Sequence, residues 1–498
     1  MEEIVADNVL NRNKSLINRK MILKILGILL FLEGIMFLIC TGVSLSYNEP
    51  DYIYFIYSTL IAVVVGGLFL ILGKGAENKL SRRDGYCIVA FTWVLFTAFG
   101  MLPFYISGEI PSVADAFFET MSGFTTTGAT ILDDIESLPY GMLFWRSFTQ
   151  WIGGLGIVFF TIAVLPIFGV GNQVLFSAEA TGVTHDKIHP KISIMAKWLW
   201  TVYLILTVTE TALLMCGGMN LFDAVCHSFT TTATGGYSTK QSSVAYWNSP
   251  FIEYVIAIFM ILSSLNFALY FMCLKGRFMT LFKDDEFKYF LSSVGAVTLL
   301  ISISLVYHNN YEIEEAFRKA LFQVASVHSS CGFATDDYSY WAPFTWLLLI
   351  YTMFAGGCTG STGGGIKSMR LLIVLRNAKN EFNRLIHPRA VLPVKVNRQT
   401  VPSSTVSTVI TFVLFYLIVV FVSWLLLMFL GIDFMESFSL VVSSLGNVGP
   451  GLGAFGPAFS WSALPDLVKW ILSFLMLIGR LELFGVLLIF VPGFWNKN

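Results

Sequence analysis

The chain has 498 residues, 55% of them apolar and only 13% charged, with a formal net charge of −1. Soluble domains carry about 25% charged residues, so this composition, with its many long apolar runs, excludes a soluble domain and describes a polytopic membrane protein. A near-neutral balance without a basic tail gives no basis for a nucleic-acid partner. The seven cysteines are scattered and form no CxxC pair, so they read as small buried hydrophobes rather than a disulfide or metal framework.

Residues 1–20 form a polar segment with Arg12, Lys14, Arg19 and Lys20. Apolar runs near 21–45 and 52–73 follow, then a basic loop with Lys74, Lys79, Arg82 and Arg83. The first run has no small-residue cleavage site after it and reads as a retained helix, not a signal peptide. Residues 21–85 are thus an extra transmembrane hairpin. Four loose copies of one unit then occupy 86–185, 186–280, 281–398 and 399–498. The first has a helix near 86–107, a short amphipathic segment from Pro111 to Phe124, a polar loop and a helix near 142–168. The corresponding stretches are 193–217, 220–232 and 250–274 in the second, and 287–308, 312–328 and 342–376 in the third. In the fourth they are 403–430, 433–444 and 467–491. The short segments cannot span about 30 Å of hydrocarbon at about 1.5 Å per residue and are expected as re-entrant half-helices. Asp115, Asp223 and Asp433 near their starts suit N-terminal caps, and their C-terminal ends would turn carbonyls toward a cation path.

The polar loop of the first unit, Met121–Thr130 (MSGFTTTGAT), has echoes in FTTTATGGYS (Phe229–Ser238), HSSCGFAT (His328–Thr335) and SSLGNVGPGLG (Ser443–Gly453). They recur roughly 100 residues apart. Each carries a glycine that aligns with Gly128: Gly235, Gly332 and Gly449. Non-helical backbone at membrane depth is tolerated only if buried or lining a watery path, and glycine lets carbonyls turn toward a common axis. Four such loops make a ring able to replace the hydration shell of an alkali cation. The candidate ion-binding residues are Thr126, Thr127 and Gly128; Ala233, Thr234 and Gly235; Ser330, Cys331 and Gly332; and Asn447, Val448 and Gly449. They act through backbone carbonyls only. His185 and His189 lack a second ligand pair, His227 and His328 read as packing residues, and no catalytic constellation emerges, so no enzyme is expected.

GGCTGSTGGGIKS, Gly356–Ser368, interrupts a predicted apolar helix. It fails as a phosphate-binding loop, because Ile366 rather than glycine precedes Lys367 and no strand comes before it. Gly356, Gly357, Cys358, Thr359, Gly360, Ser361, Thr362, Gly363, Gly364, Gly365 and Lys367 therefore form either a gate below the ring or a packed structural kink. Arg480, in LIGRLELFG, lies in the middle of the last apolar run, where an arginine is costly. It is either an electrostatic barrier facing that loop or half of an ion pair with Glu482 or another buried carboxylate; positions two apart on a helix do not face each other. Arg146 and Gln150, in WRSFTQWIGGLGI, either buttress the first loop or anchor an interface with Trp145 and Trp151. Asp133, Asp134 and Glu136, and Asp336 and Asp337, either concentrate cations at a mouth or form solvated acidic loops.

Most Lys and Arg fall in the even-numbered connections, so both termini are expected on the cytoplasmic side with the polar loops opening outward. The basic stretch 367–398, with the 169–197 and 275–288 loops, is the expected docking face for a partner or for anionic lipid.

Together, FTTTGAT, WRSFTQWIGGLGI, HSFTTTATGGYST, GGCTGSTGGGIK, NVGPGLG and GRLELFG, in that order, resemble the TrkH-type subunits of bacterial Trk potassium-uptake systems, in the Trk/Ktr/HKT superfamily. The resemblance runs from about residue 21 to 495. It implies an all-α polytopic membrane protein with four helix–pore loop–helix repeats around one central pore, preceded by an extra transmembrane hairpin. It implies gated, K+-selective uptake across the bacterial inner membrane, with Gly128, Gly235, Gly332 and Gly449 as filter glycines and Arg480 facing the Gly356–Lys367 gate loop. It also implies a homodimer in membrane lipid and a cytosolic TrkA-like nucleotide-binding ring as partner. The nucleotide then belongs to that ring; this chain carries K+ as transported ion and no bound cofactor. The fourth loop has Gly446–Asn447 where members often have two asparagines, and Cys331 stands where a hydroxyl or small residue is common. Members with serine at the first-loop glycine tend to pass Na+, and this chain keeps Gly128. The alternative is a K+ or Na+ symporter coupled to protons by alternating access, with Glu33, Glu210 and Glu482 as candidate midplane carboxylates.

Overall fold

A computed structural model describes residues 17–77, 80–156 and 192–496. Helices α1 (Arg19–Ser46) and α2 (Tyr52–Leu72) form an antiparallel hairpin. They meet on small residues: a methyl group built on Gly27 would lie 2.8 Å from the Gly66 carbonyl oxygen, and one on Gly66 would lie 3.0 Å from that of Gly27. Such close backbone approach is how membrane helices gain packing without a hydrophobic drive between them. Then follow α3 (Arg82–Gly100), α4 (Val113–Phe124), α5 (Tyr140–Gly154), α6 (Ile192–Cys216), α7 (Leu221–Thr232), α8 (Pro250–Ser263) and α9 (Phe267–Leu274). The third and fourth units contribute α10 (Asp285–Asn309), α11 (Ile313–His328), α12 (Pro343–Ala355), α13 (Ser368–Ile386), α14 (Ser403–Phe429), α15 (Phe434–Gly446), α16 (Asp466–Arg480) and α17 (Phe484–Leu487). A two-stranded hairpin, β1 (Lys395–Val396) and β2 (Gln399–Thr400), lies between α13 and α14.

Among the described residues, 6 helices are long and apolar enough to cross a bilayer, or up to 8 if each bent pair counts as one span. The outward faces of α2 and α14 expose Leu60, Val64, Leu414, Ile418 and Phe421, as lipid-facing surfaces do. The short helices α4, α7, α11 and α15 have 12, 12, 16 and 13 residues and bury their C-terminal halves. Ser112 and Asn220 cap α4 and α7, accepting from the N–H groups of Asp115 and Asp223. Those two aspartates therefore sit in the first turn and not at the cap. Asp433 holds the cap position of α15 without a side-chain cap bond.

The long second helix expected in each unit is broken. α5 ends at Gly154, and Gly156 follows at a φ of 80°. α8 and α9 are bent by 97° across the break at Ser264–Asn266, where Asn266 caps α9, and the chain turns by 108° after α16. That last turn uses Glu482 and Leu483 at φ values of 53° and 52°. The helices expected over 250–274 and 467–491 are thus each two pieces, because uniform apolar periodicity carries no mark of a bend, whereas the one expected over 342–376 divides into α12 and α13 at the glycine-rich stretch that marks the break in the sequence. The remainder of 142–168 beyond Gly156, and residues 169–191 with His185 and His189, lie outside the described residues.

Candidate functional site

All four half-helices end in the same hydrogen-bond pattern. At the end of α4, Thr126 N–H donates to the Gly123 carbonyl (3.0 Å) and Thr127 N–H to that of Ser122 (2.9 Å). The pair recurs as Thr234 to Thr231 (2.9 Å) with Gly235 to Thr230 (2.8 Å), and as Ser330 to Val327 (3.1 Å) with Cys331 to Ser326 (2.8 Å). In the fourth loop it is Asn447 to Ser444 (3.3 Å) with Val448 to Ser443 (2.9 Å). This is the Schellman closure of a helix, which requires a left-handed residue usually supplied by glycine. Here Thr126, Thr234, Ser330 and Asn447 take that role, at φ values of 54°, 54°, 60° and 53°. A β-branched threonine held there stores about 1–3 kcal/mol. Two residues on, Gly128, Gly236, Gly332 and Gly449 have φ values of 84°, 77°, 91° and 106°.

Those four glycines close a ring. A methyl group built on Gly128 would lie 2.1 Å from the Gly235 carbonyl oxygen, and one on Gly236 would lie 2.0 Å from that of Cys331. On Gly332 it would lie 2.3 Å from the Val448 oxygen, and on Gly449 2.6 Å from that of Thr127. Loop one abuts loop two, two abuts three, three abuts four, and four returns to one. Each contact sets a glycine against the carbonyl just before the next loop's glycine, a spacing that no side chain would permit. The contacts and the hydrogen bonds both correct the register expected for the second loop. Gly236, not Gly235, matches Gly128; Gly235 stands where Thr127 does, Thr234 where Thr126 does, and Ala233 where Thr125 does. Two adjacent glycines left the sequence with a choice that only backbone geometry decides. The four positive-φ glycines together line one open cleft.

Buried side chains tie the loops to one another. Arg146 Nε lies 2.9 Å from Glu119 Oε1, both groups buried. Glu119 also accepts from the Thr130 hydroxyl (3.0 Å) and the Ile131 N–H (3.0 Å), while Arg146 donates to the Ser238 carbonyl (3.1 Å) and covers the Tyr237 ring at 4.2 Å. The pair thus links the first loop to the second. Gln150, expected beside the first loop, clamps the second instead: Nε2 donates to the Gly235 carbonyl (2.7 Å) and Oε1 accepts the Tyr237 N–H (3.0 Å). Asn447 Nδ2 donates to Thr127 Oγ1 (3.0 Å) and the Met476 carbonyl (2.9 Å), joining the fourth loop to the first. His227 is satisfied by the Asp223 carbonyl (2.8 Å) and Ser238 Oγ (2.9 Å), and His328 packs on Phe290. Of the acidic residues near the cleft, Glu136 pairs with Lys240 at 3.2 Å. Sequence reading missed Glu119 and Tyr237; a carboxylate on the apolar face of α4 was the available signal for the first.

The 356–367 loop packs where the half-helices end. Gly364 N–H donates to Ser330 Oγ (2.6 Å), and Thr362 Oγ1 to the carbonyls of Thr232 (3.2 Å) and Ser263 (3.2 Å). A methyl on Gly364 would meet the Gly446 oxygen at 2.1 Å, and one on Gly363 the Ser329 oxygen at 2.8 Å. The loop therefore touches the ends of α7, α11 and α15. It also satisfies backbone groups freed by the helix breaks: Cys358 N–H donates to the Ser264 carbonyl (2.8 Å) and Phe267 N–H to that of Gly360 (3.1 Å). Such groups need partners at membrane depth. Within the loop, Ser361 Oγ donates to the Cys358 carbonyl (2.6 Å), Lys367 Nζ donates to the Gly363 carbonyl, and Gly356 and Gly365 cross in close contact. Gly357 accepts from Ser368 N–H (2.9 Å), and Thr359 N–H reaches Glu286 (2.6 Å). Arg480 joins this assembly directly. It donates to the carbonyls of Thr362 (2.7 Å), Gly154 (2.7 Å) and Gly153, at the end of α5. Glu482 pairs with Arg370.

Residues 53–497 match the family model described as TrkH, cation transport protein. The chain is 38% identical over 96% of its length to the Trk system potassium uptake protein TrkH of Escherichia coli K12, covering 99% of that protein. It is 35% identical over 95% of its length to the TrkG protein of the same strain, covering 97% of it. The crystal structure of the potassium transporter TrkH from Vibrio parahaemolyticus aligns with 96% of this chain and 99% of that one, at a TM-score of 0.86 and 36% identity. A glycine ring built from four half-helices, inside a multi-pass helical membrane protein of this shape, accompanies those likenesses, and the chain belongs to the TrkH family of cation transport proteins.

Proposed function

We propose that this chain carries K+ into a bacterial cell through the ring of four loops, lodged in the inner membrane with both termini in the cytoplasm. The observation that carries this reading is the cyclic contact of Gly128, Gly236, Gly332 and Gly449 with the carbonyls of the neighbouring loops. Backbone oxygens crowded around one axis replace water around an alkali cation, and half-helix C-termini favour a positive charge there. The names of the related proteins, Trk system potassium uptake proteins, support K+ as the ion. The Gly356–Lys367 loop, pinned by Arg480, then obstructs the path on the cytoplasmic side of the ring and repels cations by its fixed charges. The protein works as a homodimer, and a cytosolic nucleotide-binding ring that docks on the basic 367–398 stretch moves the loop. The nucleotide sits on that partner.

Flux into proteoliposomes under opposed K+ and Na+ gradients, with pH clamped on both sides, tests the reading. K+ movement down its own gradient, indifferent to a pH step, is expected. Flux that follows the pH step would favour proton-coupled symport.

A further inference from the structure

Glu286, a residue with no evident sequence motif, is 2% exposed in the first turn of α10. Its Oε1 accepts two backbone N–H groups from opposite ends of the 356–367 loop: Thr359 near the loop's start (2.6 Å) and Met369 in the first turn of α13 (3.0 Å). Between those anchors lie Thr362, whose carbonyl holds Arg480, and Gly363 and Gly364, which press on the half-helix ends. One carboxylate oxygen thus fixes both ends of the segment that fills the space under the ring. Hydrogen bonds to a buried acceptor oxygen in a low-dielectric setting are electrostatically stronger than in water.

The two residues before Glu286 face the other way. Asp284 Oδ1 caps α10 by accepting the Phe287 N–H (2.8 Å), while its Oδ2 accepts from Asn397 Nδ2 (2.8 Å). Asp285 N–H donates to Asn397 Oδ1 (2.8 Å), and Asp285 Oδ2 accepts from the Asn397 N–H (2.9 Å) and from Arg376 (2.8 Å). Asn397 and Arg398, at φ values of 49° and 64°, form the exposed two-residue turn of the β1–β2 hairpin, a geometry that holds antiparallel strands in register. Three consecutive acidic residues therefore grip the loop on one side and the hairpin on the other. A cleft lined by Asp284, Glu286, Asn397, Gln399 and Thr405 runs between the two grips, leaving room for relative movement.

We propose that Glu286 is the positioning residue that holds the 356–367 loop closed, and that Asp284, Asp285 and Asn397 transmit movement of the β1–β2 hairpin to it. This rests on the reading of that loop as the gate. A hydrogen bond weakens steeply once stretched or bent. A shift of the α10 start against α13 therefore cannot keep both N–H groups on one oxygen, and the loop loses an anchor.

The test is K+ flux through partner-free protein in liposomes, after each variant elutes as wild type from size exclusion. Glu286→Ala should raise basal flux about fivefold or more. Glu286→Gln, whose amide oxygen still accepts both N–H groups, should restore flux to near the wild-type level, a rescue that a merely buried charge would not give. Asn397→Ala, at an exposed turn outside the loop, should raise flux about twofold or more, with the K+/Na+ ratio unchanged. If Glu286→Ala does not fold, Asn397→Ala decides. Wild-type flux in a folded Glu286→Ala, or in Asn397→Ala, overturns the proposal. Arg480→Ala run alongside separates the levels: a leak in Arg480→Ala alone removes only the Glu286 linkage, whereas no leak in any variant removes the gate reading itself.

Discussion

The register of the second loop makes a pair of substitutions informative. Gly236 has a φ of 77°, and a methyl group there would stand 2.0 Å from the Cys331 carbonyl oxygen. Left-handed backbone costs an ordinary residue about 1–2 kcal/mol, and overpacking a tight site adds about 1–3 kcal/mol. Gly236→Ala should therefore destabilise the protein by about 2–5 kcal/mol and push the Cys331 carbonyl out of the ring. Gly235 does not have a positive φ, and its added methyl meets the Gln150 side chain at 2.4 Å. That side chain can swing aside, losing its bonds to Gly235 and Tyr237, at about 1 kcal/mol each. Thermal unfolding in detergent, with K+ and Na+ flux in proteoliposomes, compares the two. Gly236→Ala should lose more stability and more ion discrimination than Gly235→Ala. Equal losses, or a larger loss in Gly235→Ala, would refute the register.

Arg480→Ala, or removal of a few residues within Cys358–Gly364, should raise partner-free K+ flux at unchanged selectivity. The double change should be less than additive, since both act on one barrier; folded variants with wild-type or lower flux would make the loop a packing kink. Arg146→Ala should lower thermal stability by about 3–5 kcal/mol, because it strands the buried Glu119 carboxylate. Arg146→Met combined with Glu119→Leu should lose less, and equal losses would show that the bonds to Thr130, Ile131 and Ser238 outweigh the charge effect. Charge reversal at Arg384 and Arg389 should weaken co-purification with a nucleotide-binding partner; full retention at physiological salt would clear this surface of that role.

The half-helices were readable because a polar, amphipathic segment too short to span stands out between long apolar runs. Their positions follow closely from that contrast, as α4, α7, α11 and α15 illustrate. The bends after α8 and α16 were not readable. Apolar side chains continue on both sides of Asn266 and of Glu482, and a change of direction leaves the hydropathy unaltered. The left-handed residues at Thr126, Thr234, Ser330 and Asn447 were hidden for another reason: turn chemistry points to glycine, and here glycine comes two residues later. The contact of Arg480 with the 356–367 loop was suggested by two local oddities in the chain, a glycine-rich interruption and a buried charge. Glu286 was silent, because a carboxylate at a helix start has an ordinary explanation as a first-turn acid, and only the fold brings Thr359 and Met369 to it.

The most direct test of a carbonyl ring as the ion-selective element is the K+ to Na+ permeability ratio of reconstituted wild type and Gly128→Ser. The added side chain would meet the Gly235 carbonyl oxygen, which an added methyl already approaches to 2.1 Å. Wild type should favour K+, and Gly128→Ser should lower the ratio while the protein still folds and conducts. A ratio that stays the same in a folded, conducting Gly128→Ser would contradict a selectivity filter at this ring.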